Sequence, residues 1–318
     1  MNIILHIGLP KTGSSSFQAW VDSHSDALKA IGIGALSAVA AHRIATEYLN
    51  DPRRTADRDI ADIAHMMDLA EAKASLCDMV TASDLHTVLI SSEYFYIADP
   101  IRIGRFFSRA GLRVTKLLAV LRRQDRLIAS GYNQDVKSLG EASPYILKGF
   151  EHKYDFVELI ESWRKALSFP DICLHNFDLM VRDRRVISTV AEDIGAESLL
   201  DPHDDMNFHV NDGLTAEMVK IVRMANGLGL HGIGEIAARA QQNGLTGTPF
   251  RLPRQVRDHI AGLYRDSNRR LIKMYGAAFD GFLNDDDSCD TLPDDTFPLD
   301  HTLRLLAFAT GENKTGHG

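Results

Sequence analysis

Lys11 stands inside a tight turn, HIGLPKTGSSSFQ at residues 6–18, directly after a short apolar run. Gly8 and Gly13 have the glycine spacing of a nucleotide-triphosphate loop, GxxxxGK[ST], in which the lysine follows the second glycine. Here Ser14 and Ser15 follow it, and Lys11 sits within the loop instead. Backbone amides of residues 12–15 can still cradle an anion, because a helix N-terminus presents N–H groups without helical partners and a favourable dipole. Hydroxyls at Thr12, Ser14, Ser15 and Ser16 add donors. Taken alone, the stretch reads as well as a capped strand-to-helix turn.

A second set of charged and hydroxyl groups lies in LLAVLRRQDRLIASGYNQDVK, residues 117–137. An apolar strand would deliver Arg122 and Arg123 at its carboxyl end, and Ser130 follows Arg122 by eight residues on a helix starting near Gln124. An arginine fork and a hydroxyl so placed can hold one phosphate from two sides. The arginines capping the sheet, with Ser130 on a solvated helix face, is the plainer alternative.

Glu93 lies two residues beyond a third apolar run. A carboxylate there is placed to take a proton from an acceptor hydroxyl, and an ion pair with Lys11 or Arg122 is the structural alternative. His86 precedes that run and His6 lies within the first, so neither has the position of a base.

These groups need a scaffold that brings strand ends together. Continuous apolar runs at residues 2–7, 86–91, 115–121 and 171–176 predict buried strands. Helical patterns fall at 15–30, with Ser14 as cap, and at 57–79, 101–110, 123–139, 156–167, 184–194, 215–226 and 254–275. Alternation of this kind predicts an α/β fold with a mostly parallel sheet covered on both faces, and ligands beyond the carboxyl strand ends. Residues 35–58 read as an irregular insert, and 283–300, with DDDSCD and PDD, as a solvated acidic loop. One domain over 1–318 is expected, its C-terminal part from 211 being helical with that loop. Trp163 and Phe156 read as core, and Tyr132, Asn133, Gln134 and Lys137 as approaching the acceptor or facing solvent.

Of 318 residues, 45% are hydrophobic and 25% charged, a globular composition. The formal charge of −8 argues against a nonspecific nucleic-acid or membrane-surface binder. Cys77, Cys173 and Cys289 show no metal spacing and fit a reducing compartment. No run approaches the length of a membrane span. A soluble, cytoplasmic protein is expected.

Together the two clusters resemble the sulfotransferase superfamily, nearest a bacterial branch with an RRQD…S.YNQ pattern. PKTGSSSFQ at 10–18 is similar to that family's 5′-phosphosulfate loop, and RRQDRLIASGYNQ at 122–134 to its 3′-phosphate element. SSEYF at 91–95, the helix around Trp163 and NDGLTAEMVKIVRMAN at 211–226 are weaker echoes.

The resemblance implies a P-loop-like, three-layer α/β/α fold using PAPS (3′-phosphoadenosine 5′-phosphosulfate) as donor, with no metal. Lys11, Thr12, Gly13, Ser14 and Ser15 would hold the phosphosulfate, and Arg122 and Ser130 the 3′-phosphate. Arg123 is the second of the adjacent pair, and only one arginine matches the usual pattern. Lys11 would neutralise charge on the bridging oxygen as it leaves. Carbohydrate-directed branches use a glutamate after the equivalent strand as base, which assigns Glu93 that role and favours a carbohydrate or glycolipid hydroxyl as acceptor. The rival readings are a P-loop-type nucleotide kinase and a noncatalytic PAP- or PAPS-binding protein. The displaced lysine and the lack of evident metal ligands weigh against the first, Lys11 with Glu93 against the second.

Overall fold

The computed structural model describes residues 1–145, 154–201, 203–206, 213–283 and 298–310. Most of the acidic stretch, Cys289 and residues 211–212 of the C-terminal echo lie outside them. The chain divides into two compact units: Met1–Arg122 with Asp155–Val210 and Arg270–Phe279, and Arg123–Tyr154 with Asn211–Arg269 and Asp280–Gly318.

The first unit is built on strands β1 (Asn2–His6), β2 (Ile33–Ala35), β3 (Thr87–Ser91), β4 (Arg113–Leu121) and β5 (Asp171–Asn176). They form one sheet in the order β2-β3-β1-β4-β5, and every pairing is parallel. The fold is therefore α/β with an all-parallel sheet flanked by helices. Continuous apolar runs follow from burial on both faces. Ile4, Leu89, Leu118 and Val120 pack with Phe17, Trp20 and Val21 of α1 (Ser14–Ser23), Leu28 of α2 (Ser25–Ala30) and apolar residues 187, 190 and 194 further along. The alternate residues Ile3, Leu5, Val88, Ile90 and Leu117 are fully buried on the other face. There α3 (Ala38–Glu47) packs on β3, while α6 (Pro100–Arg109) packs on β4 and α8 (Phe156–Ala166) on α6. Trp163 and Phe156 are core, Trp163 meeting Phe95 edge-on at 6.0 Å. Each such side chain contributes roughly 1.5–3 kcal/mol by burial.

Several expected boundaries are corrected. The helix expected over 15–30 breaks at His24, where Ser23 Oγ and His24 Nδ1 both contact the Trp20 carbonyl and side-chain bonds compete with the helical ladder. Its cap is Gly13 rather than Ser14. The helix expected over 57–79 is two, α4 (Arg58–Met66) and α5 (Leu69–Thr81), because Asp68 accepts the Ala70 N–H and starts a second helix. The insert 35–58 is regular for much of its length. Its alanines, Ala40, Ala41 and Ala45, give α3 a buried face of small residues that carries little hydrophobic signal. Beyond β5, Asn176 caps a short helix, α9 (Phe177–Arg182), before α10 (Val186–Ile194).

The second unit is helical among the described residues. Tyr132 and Val136 of α7 (Gln124–Ser138) pack with Met218, Val219 and Val222 of α11 (Ala216–Gly227), Ala237 and Ala240 of α12 (Ile233–Gln242), and Leu305 of the last helix (Leu299–Thr310). Neither α12 nor that last helix stood out in the sequence. Tyr132 donates to the Ser143 carbonyl, and Asn133 both donates to and accepts from the Leu214 backbone. Both are buried structural ties of this unit rather than residues of a solvated helix face. Asn268 of the long helix Arg254–Tyr275 bonds reciprocally with Gln124.

Candidate functional site

β1 lies at the centre of the sheet and its carboxyl end runs into the Lys11 turn. The first residues of the turn stay tied to β4: Ile7 and Leu9 donate to the Leu118 and Val120 carbonyls, and Val120 donates to Gly8. The backbone then turns through the left-handed region at Lys11, with φ 64°, and at Gly13, with φ 83°. A non-glycine residue there costs about 1–3 kcal/mol, and such residues cluster at ligand-holding turns. Thr12 Oγ1 donates to the Leu9 carbonyl at 2.6 Å and Ser14 Oγ donates to it at 3.1 Å. Both hydroxyl protons therefore brace the loop itself. Gly13 caps α1 without a side-chain hydrogen bond, so the first-turn amides of Ser14, Ser15 and Ser16 have no helical acceptors and face a potential anion. Ser15 and Lys11 are exposed.

Arg122 follows β4 directly. Its Nη1 donates to the Lys11 carbonyl at 3.5 Å, its Nε lies 3.4 Å from Asp178 Oδ1, and its guanidinium covers the Phe177 ring at 5.2 Å. Arg123 is differently committed. Its Nε and Nη2 donate to the two oxygens of Asp125 at 2.6 and 2.8 Å, a buried pair at the start of α7. Ser130, on α7 in the second unit, is half-buried.

Glu93 opens a 3-10 turn, Glu93–Ile97, immediately after β3. The loop and this turn are in direct contact: a β-carbon on Gly8 would lie 2.9 Å from the α-carbon of Glu93. Glu93 has one ion-pair contact among the described residues, His42 Nε2 at 3.9 Å from Oε2. Neither Lys11 nor Arg122 is its partner.

Behind the loop, His6 is almost wholly buried and its Nδ1 contacts Ser91 Oγ at 2.8 Å. Gln18 of α1 donates to the same hydroxyl. Burial pushes the His6 pKa down to about 4, against a smaller upward effect from the Gly8 backbone. A neutral imidazole thus supports the root of the turn. His86 lies at the opposite end of β3, against Thr87 Oγ1 and the Ile31 carbonyl.

Lys11, Glu93, Arg122 and Asp178 all follow the carboxyl ends of strands, of β1, β3, β4 and β5 respectively. Asp178 could have been found by the same reading that found Glu93. His42 carried no such signal, because α3 lies some fifty positions upstream of its neighbour Ser92, in the stretch read as irregular. No group of three or more His, Cys, Asp or Glu among the described residues could hold a metal ion. No described helix is long and apolar enough to cross a membrane.

No family model matches the chain. An uncharacterized protein of Archaeoglobus fulgidus is 33% identical over 92 residues, 29% of this chain. The match spans a quarter of that relative's length. Among solved structures, a sulfotransferase from Alicyclobacillus acidocaldarius is similar with a TM-score of 0.43 and 12% identity, over 72% of this chain and 95% of that one.

Proposed function

We propose that this protein is a sulfotransferase that uses PAPS to sulfate an acceptor hydroxyl, on a carbohydrate or glycolipid. The observation that carries the reading is the convergence on one turn: Gly8 packs on Glu93 while the Lys11 carbonyl receives Arg122. The turn that carries Lys11 and leads into amides with no helical acceptor is thus in contact with the residues that carry a candidate base and an arginine fork.

The residues fit an anionic donor. Amides of Ser14, Ser15 and Ser16, with Lys11 and the exposed Ser15, hold the 5′-phosphosulfate, and Thr12, Gly13 and Ser14 act by shaping the loop. Arg122 holds the 3′-phosphate by its planar fork, and Ser130 shares that role on the strength of the sequence pattern. Bound there, PAPS supplies an activated sulfuryl group. Glu93 accepts the acceptor's hydroxyl proton on a carboxylate oxygen while the acceptor oxygen bonds to sulfur. Lys11 neutralises the charge on the bridging oxygen, which keeps the electron pair of the breaking S–O bond. The products are a sulfate ester and PAP.

Incubation with ³⁵S-labelled PAPS and a fractionated cell extract tests the reading. Label is expected in an organic sulfate ester. Label remaining in the donor with every fraction, or released only as inorganic sulfate, counts against it.

A further inference from the structure

Glu93 Oε2 is buried with no hydrogen-bond donor among the described residues, although the side chain as a whole remains partly open. Among the described residues, the imidazole of His42 lies against that buried oxygen, with Nε2 at 3.9 Å. His42 is held from its other side: Nδ1 lies 2.8 Å from Ser92 Oγ, a fully buried hydroxyl that also accepts the Tyr94 N–H. The Tyr94 ring meets the imidazole edge-on at 5.1 Å and is itself anchored by its hydroxyl on Asp59. The ring is therefore held by two neighbours, Ser92 and Tyr94, and its Nε2 lies nearest a buried carboxylate oxygen.

We propose that His42 is a positioning residue for Glu93, turning Nε2 to Oε2 so that the other carboxylate oxygen faces the acceptor. The role as stated rests on the sulfotransferase reading. The contact is longer than a hydrogen bond, and catalytic hydrogen bonds commonly shorten when substrate closes the site. The electrostatics agree with the geometry, since burial lowers the His42 pKa and the Glu93 carboxylate opposes that shift. The remaining charges around the imidazole are the Arg43–Glu47 pair on its own helix, with Asp59 and Arg54 behind Tyr94.

Two measurements on the full chain decide it. In NMR titrations, the His42 imidazole (assigned by its loss in His42→Gln) is expected to titrate at lower pH in Glu93→Gln than in the wild type. An unchanged His42 titration overturns the coupling, whether or not transfer is observed. In the ³⁵S transfer assay, His42→Leu is expected to lower the rate roughly 10- to 100-fold, the scale of a misplaced catalytic group. His42→Gln, which keeps an N–H near the Nε2 position, is expected to recover part of that loss. In the Glu93→Gln background His42→Leu should cost nothing further, because groups acting as one unit are non-additive. Additive losses, or equal losses in the Leu and Gln variants, overturn the positioning role alone. Full transfer by Glu93→Gln overturns the base assignment on which it rests.

Discussion

A methyl group on Gly8 would lie 2.9 Å from the α-carbon of Glu93. The contact joins the turn after β1 to the turn after β3, so the loop packs directly on the backbone that carries the Glu93 side chain. Gly8 also has φ 91°, a conformation that side chains other than hydrogen resist.

Gly8→Ala is therefore expected to destabilise the fold by about 1–3 kcal/mol and to weaken PAP binding. At about 2–4 °C per kcal/mol for a chain of this size, a thermal melt resolves the loss. A wild-type melting temperature together with wild-type PAP affinity contradicts the contact.

The adjacent arginines are expected to fail in different ways. Removing Arg122 costs charge-assisted hydrogen bonds to the donor, so Arg122→Ala weakens PAP binding by about 1.5–3 kcal/mol. Removing Arg123 leaves Asp125 buried beside its lost partner, and Arg123→Ala destabilises the protein by about 3–5 kcal/mol. Calorimetric titration with PAP and thermal melts of both variants separate the two. Equal PAP losses would return Arg123 to the phosphate site.

Glu93→Gln keeps the shape and removes the proposed base. PAP affinity is expected to stay within twofold or so, while transfer falls by about 10²-fold or more. Near-normal transfer would take Glu93 out of the reaction.

His6 makes stability depend on pH. Its folded pKa, about 4, lies below the ordinary 6.5, so between those values the unfolded chain binds the extra proton. Stability from this group is complete above about pH 6.5 and is lost as pH falls toward 4, by about 3 kcal/mol in all. Denaturant titrations of the wild type and His6→Asn at pH 7 and 5 check it. The wild type should lose more stability over that interval than the variant. Parallel losses would mean that His6 titrates normally in the fold.

The strands that carry the site were legible because double-sided burial leaves uninterrupted apolar runs, and charges stand out where the runs stop. Lys11, Glu93 and Arg122 were found that way. The division of labour within the site was not legible. Thr12 and Ser14 look like ligand donors until their hydroxyls are seen bonded to Leu9, and the structural role of Arg123 is not evident until Asp125 is seen to hold it. His42 was hidden for a further reason. It lies on an alanine-rich helix whose mostly small buried face gives only a weak hydrophobic signal, and it meets Ser92 and Glu93 only through the tertiary fold.

On the proposed function, this turn holds PAPS rather than a nucleoside triphosphate with magnesium. Thermal melts of the wild type with PAP, and separately with ATP and Mg²⁺, test it most directly. A ligand at 100 times its dissociation constant adds roughly 2.7 kcal/mol to stability, a shift of several degrees for this chain length at about 2–4 °C per kcal/mol. Stabilisation by PAP and none by ATP–Mg²⁺ is the predicted result. Stabilisation by ATP–Mg²⁺ without any by PAP would contradict it.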